Sequence, residues 1–277
     1  MKSALTALLL ATLCAAAPAW AQFDHTHAAW AALLKKHVVL VDGGKASQVN
    51  YTAFAQDRAA LKAYLSALSG VTATEFGAWS KPQQMAFLIN AYNAYTVEKI
   101  LTRYPHLKSI RDFGTVFGNP WKDRFFTLLG QPSTLDQVEH ERLRKPGAYD
   151  EPRVHHAVNC ASIGCPMLRE EAYVADRLDA QLEEQTRRFL SDRTRNRYHP
   201  DHGRLEVSKI YDWFKEDWQS GYRGVDGKTA PIASREAYFA RYGMLLADSP
   251  DGRQRVTEGK APLTFLEYDW SLNDVRR

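Results

Sequence analysis

The run Arg153-Val154-His155-His156-Ala157-Val158-Asn159-Cys160, continued through Ala161-Ser162-Ile163-Gly164 to Cys165-Pro166, brings thiol, imidazole and amide groups close together in the chain. Three chemistries are open to such a cluster. Cys160 is a nucleophile if a nearby imidazole lowers its pKa and a carboxylate or amide orients that imidazole. Cys160 and Cys165 form a disulfide if the loop between them turns back and the compartment is oxidising. The same pair with one or two histidines could hold zinc, although no second Cys/His pair stands at a matching interval. The residue types leave the choice among the three open.

The backbone around Cys160 has two readings. A strand over 152–160 puts His156 and Cys160 on one face but about 13 Å apart, beyond hydrogen-bond reach. A helix, permitted by Asp150 as cap and Pro152 in the first turn, stacks His156 on Cys160 and His155 on Asn159. The alternating valines favour the strand, entering a loop at Cys160. Any base for the thiol then comes from elsewhere in the fold.

Other segments must position that base. Ser80-Lys81-Pro82-Gln83 reads as a capping box opening a helix to Leu101, before Pro105. Its apolar residues run nearly all round, so Asn90 and Asn93 are buried and need partners. Backbone partners in a crossing loop compete there with a substrate. Thr134 and Gln137 open a second helix, with Leu135, Val138 and Leu143 as its stripe. At 3.6 residues per turn Glu139 and Arg142 fall in that stripe, so Glu139 should meet a cation or orient a histidine. His140 lies about 100° round from it and need not share its partner.

Further helices are read over Phe23–Lys36, Phe54–Leu68, Asp179–Leu190, Leu205–Trp218 and Arg235–Leu246. The stripe of Ile210, Trp213, Phe214 and Trp218 reads as core packing. Strand-like runs occur at His37–Val41, with Val49–Tyr51 as hairpin partner, at Arg124–Leu129 and at Phe265–Trp270. The fold class is α+β, a single helix-rich domain with a small β-sheet.

Residues 1–21 read as an export signal: Lys2, an apolar run from Ala4 to Cys14, then Ala19-Trp20-Ala21 before the cut. The mature chain is then 22–277, one globular domain, periplasmic or secreted and without a transmembrane segment. Loss of Lys2 lowers the formal charge from +4 to +3, too mild to argue for nucleic acid as partner. Arg187, Arg188, Arg193, Arg195 and Arg197 read as a solvated helix end and loop. With Cys14 removed, Cys160 and Cys165 are the remaining pair.

Met85-Ala86-Phe87-Leu88-Ile89-Asn90-Ala91-Tyr92-Asn93-Ala94, Val138 to Arg144, Arg153 to Pro166 with Leu168-Arg169, and Tyr268-Asp269-Trp270-Ser271-Leu272-Asn273 occur in that order. Together they resemble the domain of unknown function family 547 (DUF547), over a core of about 54–273. The resemblance implies no particular reaction. It places the family's histidine on His155 and an aromatic position on His156, which is therefore read as packing. Glu139, His140, Asn90, Asn93, Arg153, Cys160 and Cys165 fall on family positions.

These readings converge on a cysteine-dependent hydrolase or acyl transferase. Cys160 would attack a carbonyl, with His155 or His140 as base and Glu139 or Asn159 orienting it. Asn90, Asn93, Arg153 and Asn159 are the expected substrate contacts, for a small molecule or peptide, with no metal or cofactor required. The competing reading is a non-catalytic binding or scaffold module braced by a Cys160–Cys165 disulfide.

Overall fold

A computed structural model describes residues 22–114, 118–219 and 231–275, so the expected export signal lies outside the described residues. α1 (Ala28–His37) begins later than the apolar spacing from Phe23 suggests. The Asp24 carboxylate accepts from the backbone N–H groups of Thr26 and Ala28, and His27 is left-handed at φ 51°. That conformation cannot be propagated in a right-handed helix. β1 (Val38–Val41) pairs antiparallel with β2 (Ala46–Val49), so the hairpin partner starts earlier than expected. Gly43 and Gly44 turn between them with φ of 62° and 86°.

The helix expected over Phe54–Leu68 is two, α2 (Tyr51–Gln56) and α3 (Arg58–Gly70). They break at Asp57, whose carboxylate bonds Nε2 of buried His37 at 2.6 Å. After α4 (Ala73–Gly77) comes α5 (Lys81–Leu101), opened by the expected capping box: Ser80 Oγ accepts from the Gln83 N–H, and Gln83 Oε1 accepts from the Ser80 N–H. Every residue from Met85 to Leu101 is buried. β3 (Phe126–Leu128) and β4 (Gln131–Ser133) form a second hairpin. The Thr134/Gln137 box follows, and residues Gln137–Leu143 are wound as a π-helix, closed by the Arg144 N–H on the Glu139 carbonyl.

The strand reading of 152–160 is overturned: Val154–Ala157 is a helical turn, α6. Its backbone bonds run from Val154 N–H to Glu151 O, His155 N–H to Pro152 O and Val158 N–H to Val154 O. Pro152 supplies a preset helical φ at no hydrogen-bond cost. The Glu151 carboxylate takes the Arg153 N–H at 3.0 Å. The chain leaves the turn at Val158, which is extended, so Cys160 lies beyond the helix rather than stacked over His156.

α7 (Leu178–Ser191) leads into β5 (Arg197–His199) and β6 (Arg204–Val207). The helix expected over Leu205–Trp218 therefore splits into β6, the single turn α8 (Ile210–Trp213) and a 3-10 turn at Asp217–Gln219. α9 (Arg235–Ala240), α10 (Gly243–Leu246) and α11 (Pro250–Thr257) precede β7 (Leu263–Phe265), which pairs parallel to β6. The fold is α+β: helix-dominated, with two hairpins and one three-stranded sheet in the order β5-β6-β7. The Arg187–Arg197 basic concentration is internally paired, with Glu183, Glu170 and Glu184, Asp248, Asp192 and Glu206 as partners.

Apolar side chains gather in two cores. The larger surrounds α5 and takes in Trp30, Phe54, Leu61, Val138 and Val154. The smaller joins Phe189, Leu205, Tyr211, Trp218, Tyr238 and Leu246. The C-terminal segment is laced to the cysteine loop: Ile163 N–H to Ser271 O and Gly164 N–H to Asp269 O, both 2.8 Å, and Asn273 N–H to Ala161 O at 3.1 Å. No described helix is long and apolar enough to cross a membrane.

Candidate active site

A cleft of about 210 Å³ opens where the two cores meet. Its lining comes from two stretches of chain: Tyr92, Asp136, Glu139, His140, His155 and Val158 make an acidic wall, and Ile210, Trp213, Phe214, Tyr268 and Trp270 an aromatic one that adjoins it where Phe214 stacks on His155, with Trp121 beside Trp270. Cys160 and Cys165 line it too. A single water needs about 10–15 Å³ by the same kind of measure, so the space is that of a ligand.

The π-helix sets the acidic wall. Glu139 and His140 reach the cleft from it, and Asp136 from the residue just before it. Such wider turns recur at functional sites. Tyr92 from α5 lines the cleft with Glu139 and Trp121. Burial first, and then the Glu139 charge, push the Tyr92 hydroxyl well above the usual phenol range, so it keeps its proton.

Both expected bases have side-chain partners. His155 Nε2 lies 2.7 Å from Asp217 Oδ2, and Nδ1 lies 3.9 Å from Glu139 Oε1. Burial acts to raise the Asp217 carboxyl, but hydrogen bonds from His155 and Arg144 outweigh it and hold the pKa at about 2. An ionised carboxylate only accepts, so His155 Nε2 carries the proton. The ring is stacked on Phe214, with centroids 4.2 Å apart. His140 Nδ1 lies 2.6 Å from Arg144 Nη1. Arginine only donates, so His140 accepts at Nδ1, and its lone pair is taken.

Cys160 and Cys165 are joined as a disulfide. The sulfur of Cys160 has hydroxyl neighbours, Ser162 Oγ and Tyr268 OH, each at 3.2 Å. Cys165 Sγ accepts from the Cys160 N–H at 3.0 Å and from Tyr268 OH at 3.1 Å. Gly164 makes room for this: a Cβ there would come within 2.9 Å of the Tyr268 ring. Among the described residues no three His, Cys, Asp or Glu side chains gather as a metal-binding set.

Of the residues expected to touch substrate, Asn90, Asn93 and Asn159 hold backbone. Asn90 closes both sides of Tyr173, donating to its carbonyl at 2.8 Å and accepting its N–H at 3.0 Å. Asn93 does the same for the chain before Cys160, donating to Ala157 O and accepting from Asn159 N–H. Asn159 donates to Pro166 O and accepts from Ala161 N–H, which ties the cysteine loop at both ends. Arg153 pairs with buried Glu151 and with Asp179. His156 packs, as expected, between Thr186 and Tyr211, and burial holds its pKa well below the usual value.

Residues 76–190 match the family model described as "Protein of unknown function, DUF547". No curated protein and no solved structure matches the chain. The DUF547 match spans α5, the π-helix, α6, the cysteine loop and most of α7, and so supplies the acidic wall and both sulfurs. Asp217, Trp213, Phe214, Tyr268 and Trp270 lie outside it. Sequence reading missed this second wall. Trp213 and Phe214 sat in a stripe that looked like core, yet Trp213 is 41% exposed. Tyr268 and Trp270 fall in the motif Tyr268 to Asn273, to which the residue types alone give no role. Nothing in the sequence singled out Asp217.

Proposed function

We propose that this chain is an exported binding module whose cleft takes a small organic cation with an apolar body. The observation that carries this is the make-up of the cleft: Asp136 and Glu139 line it together with Trp213, Phe214, Tyr268 and Trp270, and no lysine or arginine is among its described lining residues. Aromatic faces attract cations through their quadrupole, and more strongly when desolvated. Trp213 and Trp270 are stacked with centroids 5.7 Å apart, and Trp270 meets Tyr268 at 4.5 Å. The molecule already uses the same attraction, with Arg111 over Trp270 at 5.2 Å and Arg144 over Phe214 at 4.5 Å. Residues 1–21 and the disulfide support export.

Hydrolysis or acyl transfer by Cys160 requires a free thiolate and a base near it. In the oxidised pair the sulfur is bonded to Cys165, and the His140 lone pair is taken by Arg144, while His155, its Nε2–H held by Asp217, keeps Nδ1 open. That arrangement favours binding over thiol catalysis.

Titration of tryptophan fluorescence with choline and with its neutral analogue 3,3-dimethyl-1-butanol tests the reading. Choline should bind at least about tenfold more tightly, and Glu139→Gln and Trp213→Ala should each weaken it by about tenfold. Equal binding of the two probes, or binding of neither, would overturn the assignment.

A further inference from the structure

We infer that Cys160–Cys165 is a directional thiol–disulfide exchange site, attacked at Cys160 by a small aliphatic thiol entering the cleft, with Cys165 as the leaving sulfur. Two asymmetries carry this. Access is the first: Cys160 is partly exposed on the cleft wall, whereas Cys165 is 5% exposed. The second is what waits for the leaving charge. Cys165 Sγ receives the backbone N–H of Cys160 at 3.0 Å, the donor that sets the two sulfurs apart; the Tyr268 hydroxyl lies 3.1 Å from Cys165 Sγ and 3.2 Å from Cys160 Sγ and can turn to the sulfur that takes the charge, while Ser162 Oγ lies 3.2 Å from Cys160 Sγ. Donors aimed at a sulfur stabilise the thiolate, lower its pKa and make it leave faster. Tyr268 stays a donor because burial pushes its hydroxyl above the usual phenol range.

The step balances as follows. The entering thiol loses its proton to solvent, and its thiolate sulfur bonds to Cys160 Sγ. The Cys160–Cys165 bond breaks, and its electron pair goes to Cys165 Sγ, which becomes a thiolate held by those two donors. A second thiol then attacks the entering sulfur, releasing the Cys160 thiolate and an external disulfide. The protein gains two electrons, and two thiols are oxidised. The pair thus acts on thiols, a chemistry different from cation binding though reached through the same cleft.

The test uses the folded full chain with 2-mercaptoethanol, a neutral probe, so the outcome does not depend on the charge of the cleft. Brief exposure at neutral pH, trapping with N-ethylmaleimide and peptide mass mapping should place mercaptoethanol on Cys160 and maleimide on Cys165. Tyr268→Phe should slow reduction by about three- to tenfold, and Ser162→Ala, which removes a donor near the attacked sulfur, should slow it less. The reverse labelling, reduction only after unfolding in urea, or a larger effect from Ser162→Ala would overturn the assignment. Because the labelling pattern is read on the unaltered protein, failure of a variant to fold leaves the test intact.

Discussion

Asn93 closes two backbone gaps with one amide, and it does so directly before the cysteine loop. It satisfies the Ala157 carbonyl and the Asn159 N–H, and it is itself 1% exposed. Asn93→Ala leaves both groups buried and unpaired. An unmade buried hydrogen bond costs about 1–3 kcal/mol, so the variant should lose roughly 2–4 kcal/mol of stability in urea unfolding. A loss below about 0.5 kcal/mol would mean that water or another side chain can replace it. Gly164 is a second such position, because its missing Cβ is what lets Tyr268 reach the sulfurs. Gly164→Ala should displace Tyr268 and weaken choline binding, with the helical content by circular dichroism unchanged.

The π-helix is the element on which the acidic wall depends. Its start is fixed by a reciprocal box: Gln137 N–H to Thr134 Oγ1 at 3.0 Å, and Thr134 N–H to Gln137 Oε1 at 3.2 Å. Removing such a cap costs about 0.5–2 kcal/mol. Thr134→Ala should therefore lower the melting temperature by about 2–4 °C for a chain of this size. Because the same turn carries Glu139 and His140, the variant should also weaken the cleft, while Ser80→Ala on α5 should lower stability alone. Loss of binding in both variants to the same extent would show that the π-helix has no special link to the cleft.

Across the whole molecule, the contact between His155 and Asp217 ties the two cores together. His155 lies beside Val154 of the larger core, and Asp217 beside Trp218 of the smaller one. Asp217 is lowered from 3.8 to about 2 in the folded state, so its contribution is fully present above pH 3.8 and is lost as pH falls towards 2. The shift corresponds to roughly 2 kcal/mol, the Asp217 side chain being 22% exposed. Urea unfolding measured between pH 5 and pH 2 should show this slope, and Asp217→Asn should flatten it while lowering stability at pH 7. An unchanged slope in the variant would show that the pair does not couple folding to protonation.

Local signals determined much of the molecule. The Ser80 and Thr134 boxes, the burial of α5, the first hairpin and the α+β class could all be read from residue types and spacing, because capping and hydrophobic period act over a few residues. Cys160, Cys165, His155, Glu139 and His140 were also legible as one cluster, and they do share the cleft. Periodicity failed at short segments. The valines of 154–158 alternate like a strand, yet Pro152 and Glu151 close a helical turn, and the aromatics of 205–218 are divided between a strand, a turn and an exposed wall. Only the tertiary structure decided that the cysteine loop reaches the cleft, that Asp217 comes to His155, and that Trp213 and Trp270 line the same cleft as Glu139. Those contacts join residues far apart in the chain, and their geometry is set by how the two cores pack rather than by any neighbour in sequence.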